Sequence, residues 1–154
     1  MKSDFIHVYN NFVNLTRNKS LYIDQKKQDT FSDRLTIFLI YFAFFLKKFK
    51  NEDNKKDLQA LYDFIFRQFE MSIREIGYGD QTINKKMKVY INLFHDIISQ
   101  IHYWDSLDIN EKIIRLKPYF NDFDKIDHLV RYFDEFFNSL SKYSLKSFIK
   151  SVSK

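Results

Sequence analysis

The chain has 154 residues, a net charge of +5 at pH 7 and no cysteine. The absence of cysteine excludes disulfides, thiol catalysis and cysteine-ligated metals, and so small a charge excess is untypical of a dedicated nucleic-acid-binding protein. The length predicts a single domain over residues 1–154, which buries roughly two-thirds of its unfolded surface. With 18 Phe and 10 Tyr, that core is expected to be rich in aromatic rings.

The N-terminus contains an acidic residue, Asp4, and lacks the apolar stretch of a secretory signal peptide. We therefore expect a protein of the bacterial cytoplasm, with contact at the inner face of the inner membrane left open. A first amphipathic helix is predicted up to about Arg17, followed by a polar loop to Gln28. The apolar stripe of this helix comprises Phe5, Val8, Tyr9, Phe12 and Leu15.

The most apolar stretch of the chain is the ten-residue run from Ile37 to Leu46. Thr30 and Asp33 precede it with the spacing of a helix-capping box. The run is too short to cross a bilayer, which needs about 20 residues. A helix that is apolar on every side is most simply a central core helix. The alternative is that one of its faces stays exposed for a hydrophobic partner.

Two further helices are predicted on either side of Arg74–Asp80, the stretch that contains both glycines. Gly77 is predicted to end the third helix in a left-handed conformation, and Asp80 or Thr82 to cap the fourth. The short connection makes the two helices antiparallel neighbours. Their apolar residues recur at helical spacing: Leu58, Leu61, Tyr62, Ile65, Phe69, Ile73 and Ile76, then Ile83, Met87, Tyr90, Ile91, Phe94, Ile98 and Ile101.

The residues around this corner carry a family resemblance. The corner has the pattern Arg-Glu-x-Gly-x-Gly-Asp at residues 74–80. Asp29-Thr30-Phe31 with Arg34 opens the apolar helix before it, and a lysine-containing helix with Lys86 follows it. Over residues 29–101 the chain resembles the ubiquinol–cytochrome c chaperone family, the assembly factors of the cytochrome b-containing respiratory complex.

The resemblance implies a non-enzymatic chaperone that binds newly made cytochrome b and holds it until haem and later subunits join. It also implies work near the ribosomal exit tunnel together with a second small assembly protein. No cofactor, metal or small-molecule substrate is implied. The residues that the resemblance marks for partner binding are Asp29, Arg34, Arg74, Glu75, Gly77, Tyr78, Gly79, Asp80 and Lys86.

Arg34 and Arg74 also have a purely structural interpretation. Each could brace a helix end through an ion pair, with Asp29, Asp33 or Asp80 as the partner. Exposed pairs of this kind are common and weak. The binding interpretation is that they anchor a partner, since Arg is enriched at interface hot spots.

The second half of the chain shows the start and end signals of further helices. Asp108 with Glu111 predicts a short helix that ends near Lys117, before Pro118. Asp122 is predicted to cap a longer helix. Its inner face comprises Phe123, Ile126, Leu129, Val130, Phe133, Phe137 and Leu140. The complete pattern predicts an all-α, monomeric bundle of six to seven helices around the central apolar helix.

The C-terminal residues 142–154 have the pattern of a basic amphipathic helix. Lysines recur every four residues on one face, at Lys142, Lys146, Lys150 and Lys154, and Leu145, Phe148, Ile149 and Val152 form the other. One interpretation is a terminal helix that docks on the body with solvated lysines. The other is a transient contact with anionic lipid or ribosomal RNA.

The sequence contains no recognisable catalytic set. His95 and His102 share a helix face but lie about 10 Å apart along the axis, too far for one zinc ion. The two glycines of the corner lack the preceding strand and third glycine of a dinucleotide-binding loop. We therefore predict that the protein is not an enzyme. The alternative to a chaperone is a helical protein that binds RNA or the ribosome through a basic face.

Overall fold

A computed structural model of the chain describes residues 2–22, 31–121, 123 and 125–153. Within these residues the chain forms seven α-helices, joined by loops and short 3-10 helices, and no β-strand, which confirms the predicted fold class. The α-helices are α1 (Phe5–Thr16), α2 (Phe31–Phe49), α3 (Lys55–Ile76), α4 (Asp80–Gln100), α5 (Ile109–Leu116), α6 (Ile126–Ser139) and α7 (Leu145–Val152).

The centre of the molecule is α2. Every residue from Ile37 to Phe45 exposes at most 3% of its surface. Helices α1, α4 and α6 pack along α2, and ring contacts join it to Phe69 of α3 and Phe148 of α7. This enclosure confirms the predicted core helix. The alternative of an exposed face is wrong for residues 37–45, because the other helices cover every side of this stretch. Leu46, the last residue of the run, is partly exposed.

Helix α3 ends at Gly77, as the sequence predicts. Gly77 has a φ of 103°, in the left-handed region, and its N–H donates to the Arg74 carbonyl oxygen at 3.0 Å. The predicted cap of α4 is wrong: Gly79 occupies the N-cap position and Asp80 is the first helical residue. The Asp80 side chain instead accepts a hydrogen bond from Arg74, so it does not cap its own helix.

The start of α5 follows its local sequence signal, whereas α6 begins later than predicted. Asp108 accepts a hydrogen bond from the Glu111 backbone N–H at 2.9 Å, which confirms the cap of α5. Helix α6 begins at Ile126, and the predicted cap Asp122 lies outside the described residues. Between α4 and α5, the buried Trp104 donates its ring N–H to the Asp134 carboxylate at 2.7 Å, which ties this connection to α6.

The C-terminal helix α7 is docked on the body. Its apolar residues Leu145, Phe148 and Ile149 are buried, and the helix packs against α1. It begins at a reciprocal capping box between Ser144 and Ser147 and is shorter than the predicted segment 142–154.

Gly77 and Gly79 allow a matched test of the hairpin, because an added Cβ meets no atom within 4 Å at either position and only Gly77 has a positive φ. We expect Gly77→Val and Gly77→Ser to lower the free energy of unfolding by about 1–2 kcal/mol, since L-residues are strained in this conformation. Gly79→Ser places a favoured N-cap residue in extended backbone and should leave the free energy of unfolding nearly unchanged. Urea unfolding followed by circular dichroism measures all three. Equal stability of the two serine variants would contradict the assigned role of Gly77.

Candidate partner-binding site

The corner between α3 and α4, residues 74–80, is exposed over its whole length. The Arg74 guanidinium donates to the Asp80 carboxylate at 2.5 Å and lies 3.5 Å from Glu70, one turn back on α3. The hydrogen bond to Asp80 holds the pKa of Arg74 above its ordinary value. Arg74 therefore braces the corner as its structural interpretation predicts, while about half of its side chain, 48%, faces solvent.

Apolar side chains stand beside this ion pair. Ile76 is 62% exposed, Tyr78 44% and Met71, on the preceding part of α3, 47%. The predicted position of Ile76 on the buried stripe is wrong, because α3 extends beyond the core and Ile73 is its last buried residue. The Lys86 ammonium lies 4.9 Å from the centre of the Tyr78 ring. Aromatic, Met and Arg side chains are enriched at protein interfaces, so Tyr78, Met71 and Arg74 favour a binding surface here.

Arg34 is exposed and lies at the same end of the bundle as the corner. It lines a pocket of about 200 Å³ together with Arg17, Ser72 and Ile73. Ser72 and Ile73 directly precede the corner on α3. Tyr9 also lines this pocket. Burial raises the pKa of its hydroxyl, although the Ser72 hydrogen bond and the charge of Arg17 oppose that shift.

The structure thus brings most of the predicted partner-binding residues together. Arg74, Glu75, Gly77, Tyr78, Gly79 and Asp80 form the corner, Lys86 contacts it through Tyr78, and Arg34 lies nearby on α2. Asp29 lies outside the described residues. The tail lysines Lys142, Lys146 and Lys150 are exposed on and before α7, and Lys154 lies outside the described residues.

Two residues at this end of the bundle were missed by the sequence analysis. Met71 follows the buried Phe69 by two positions, which places it off the buried stripe of α3. That spacing could have identified its exposure. Arg17 follows α1 in a part of the chain without a recognisable motif, and only the packing of α1 against α2 brings it to the pocket.

The family model described as "Ubiquinol-cytochrome C chaperone" matches residues 24–102, just over half of the chain. The chain belongs to the ubiquinol–cytochrome c chaperone family. The matched segment contains α2, α3 and α4, and with them Arg34, the corner and Lys86. The family resemblance predicted over residues 29–101 is therefore confirmed.

A solved structure extends the likeness beyond the matched segment. The crystal structure of the Cbp3 homolog from Brucella abortus has a TM-score of 0.71 to this ubiquinol–cytochrome c chaperone family member, at 22% identity. The likeness covers 96% of this chain and 85% of that chain, and it shows a shared fold. No curated protein matches the chain in sequence.

The described part of the chain contains neither a candidate metal site nor a candidate membrane-spanning helix. Its His, Asp and Glu side chains form no group of three that could hold a metal ion. None of its helices combines the length and hydropathy needed to cross a bilayer.

The Arg74–Asp80 pair is exposed on both sides, with 48% and 80% of the two side chains accessible, so solvent and salt weaken its contribution to stability. We expect Asp80→Ala to shift the melting temperature by less than about 4 °C. Differential scanning calorimetry at low and high salt measures this. A large loss at both salt concentrations would mean that the pair maintains the fold, and would count against a surface role for the corner.

Proposed function

We propose that this family member is a non-enzymatic assembly chaperone of ubiquinol–cytochrome c reductase that binds newly made cytochrome b through the corner and Arg34. The observation that carries the proposal is the exposure of Ile76 and Tyr78 beside the Arg74–Asp80 pair, inside the family-matched segment. A polypeptide that later enters a membrane has apolar segments joined by polar loops. The corner offers contacts for both in one place.

The chemistry of the corner suits transient holding of such a client. Ile76 and Tyr78 provide apolar area that an uninserted segment of cytochrome b can cover. The outer face of Arg74 and the partly exposed Lys86 can pair with carboxylates in its loops. Because residues 37–45 of α2 are buried, they contribute no contact surface to the client. The proposed docking near α2 is therefore at its N-terminal end, where Arg34 is exposed.

The proposal extends to two further partners. A second small assembly protein and the ribosome near its exit tunnel would bring the chaperone to its client as synthesis proceeds. Binding of RNA through a basic face is the competing function. It predicts affinity for RNA that falls steeply with added salt, without selection for cytochrome b.

The capture of cytochrome b tests the site. Tagged chaperone is added during cell-free synthesis of cytochrome b, and the co-purified fraction is measured. We expect Arg34→Glu, Arg74→Glu and Ile76→Asp each to reduce capture about fivefold or more, as for truncated interface hot spots. Arg131→Glu and Ile114→Asp are the matched controls, since both residues are exposed and lie outside the family-matched segment.

A charge swap separates the proposed partner-binding role of Arg74 from its structural role in the corner. Arg74→Asp with Asp80→Arg keeps an ion pair across the corner but exchanges the charges presented to a partner. We expect the swapped protein to retain its melting temperature and to capture poorly. If all three site variants fold and capture normally, the client binds elsewhere. Salt-sensitive binding of RNA without capture of cytochrome b would favour the competing function.

We further propose weak peripheral contact with anionic membranes through the tail lysines. Removing residues 142–154 is a poor test, because α7 covers Phe45 and Phe49 of the core. Lys142→Gln, Lys146→Gln and Lys150→Gln together keep the helix and remove about 1 kcal/mol of attraction per lysine. We expect flotation with phosphatidylglycerol vesicles to fall in this variant and in high salt, and flotation with neutral vesicles to stay low. Equal flotation of variant and wild type on anionic vesicles would reject the membrane contact.

A further inference from the structure

A second, larger pocket lies at the end of the α3–α4 hairpin opposite the corner. Its volume is about 720 Å³, and it opens between the C-terminal parts of α2 and α4 and the N-terminal part of α3. Tyr62, the α3 lining residue closest to the corner in sequence, is twelve residues before Arg74, about 18 Å along the helix axis. The pocket is therefore separate from the candidate partner-binding site.

The pocket has an apolar floor. Leu46 of α2, Leu58 and Tyr62 of α3, and Ile98 of α4 form it. All four side chains also pack against the main core, which fixes their positions. A flexible hydrocarbon chain laid on this floor would remove apolar surface from water, the dominant favourable term in such binding.

The rim of the pocket is basic. Lys47, Lys50 and Lys55 line it, with Glu52 as the one carboxylate among its lining residues. Lys47 is already engaged: its ammonium donates to the His102 carbonyl oxygen at 2.7 Å and lies 3.9 Å from Asp105. Within the part of the chain that the structure describes, Lys50 and Lys55 form no ion pair. Two cations thus stand at the mouth of an apolar pocket without a carboxylate partner.

We propose that this pocket binds a single-chain amphiphile with an anionic head group, such as a fatty-acid carboxylate. Its hydrocarbon chain lies on the floor and its head group lies between Lys50 and Lys55. The volume fits a small molecule, since ligand pockets run from about 300 to 1,000 Å³. One turn of a helix about 10 Å wide occupies about 400 Å³, so the pocket holds less than two turns and cannot enclose a membrane-spanning client segment. The inference is independent of the proposed chaperone function.

Calorimetric titration of the full chain with dodecanoate, below its micelle concentration, tests the proposal. We expect saturable binding at one site, and much weaker binding of butyrate, which lacks the chain, and of dodecanol, which lacks the charge. Lys50→Gln with Lys55→Gln should weaken dodecanoate binding about five- to tenfold, because two partly solvated ion pairs are lost. Lys19→Gln with Lys117→Gln removes two exposed lysines elsewhere and should leave the affinity unchanged.

A blocking variant checks the floor of the pocket independently of charge. Gln59 is an exposed residue of the lining, so Gln59→Trp should keep the fold, measured by its melting temperature, and obstruct the chain. We expect it to abolish dodecanoate binding. Competition by lysophosphatidylglycerol, a single-chain phospholipid, would identify a membrane lipid as the natural source of the amphiphile, and lack of competition a free fatty acid.

Three results would overturn the proposal. The first is unchanged dodecanoate affinity in the double-lysine variant. The second is binding at many equivalent sites, as expected for detergent-like adsorption. The third is lysine-dependent binding of an acidic helical peptide of leucine and glutamate in place of dodecanoate, which would make the pocket a peptide site.

Discussion

The structure depends on the enclosure of α2 by aromatic side chains. Phe38 and Phe69 meet edge to face with ring centres 5.0 Å apart, and Phe42 stacks on Phe94 of α4 at 5.1 Å. Such ring pairs add about 0.5–1.5 kcal/mol each beyond the burial of their area. Because the rings come from several different helices, the same contacts that bury α2 also fix where its neighbours lie. Tyr41 shares this environment, and burial raises the pKa of its hydroxyl above the ordinary value.

The enclosure of α2 limits the surface that is available for partner binding. Close packing leaves no free side on residues 37–45 of α2, so the proposed partner contacts lie outside this stretch. The α3–α4 corner is such a place, since α3 continues past its last buried residue, Ile73, and carries Ile76 and Tyr78 into solvent. The Arg74–Asp80 hydrogen bond links the end of α3 to the start of α4. At the opposite end of the same hairpin, the lysine-rimmed pocket offers a site of different chemistry.

The family match and the fold extend over different parts of the chain. The match stops after α4, at residue 102, whereas the likeness in fold to the Brucella abortus protein covers 96% of the chain. Helices α1, α6 and α7 complete the enclosure of α2. Cores of this kind require apolar side chains of suitable volume rather than particular residues. Sequence motifs are therefore expected at the corner, where specific charges and glycines are needed, and need not persist in the flanking helices.

Local sequence signals determine much of the secondary structure of this protein and identify its family. Helical spacing of apolar residues predicts the α-helices, Gly77 predicts the end of α3, Asp108 predicts the start of α5, and the corner pattern identifies the family. Tertiary structure alone decided the rest. It covered all sides of residues 37–45 in α2, left Ile76 exposed, drew the Asp80 carboxylate to Arg74 instead of to a cap, and docked α7 on α1. The physical reason is that periodicity specifies which side chains share a face, whereas only the packed neighbours determine whether that face meets protein or water.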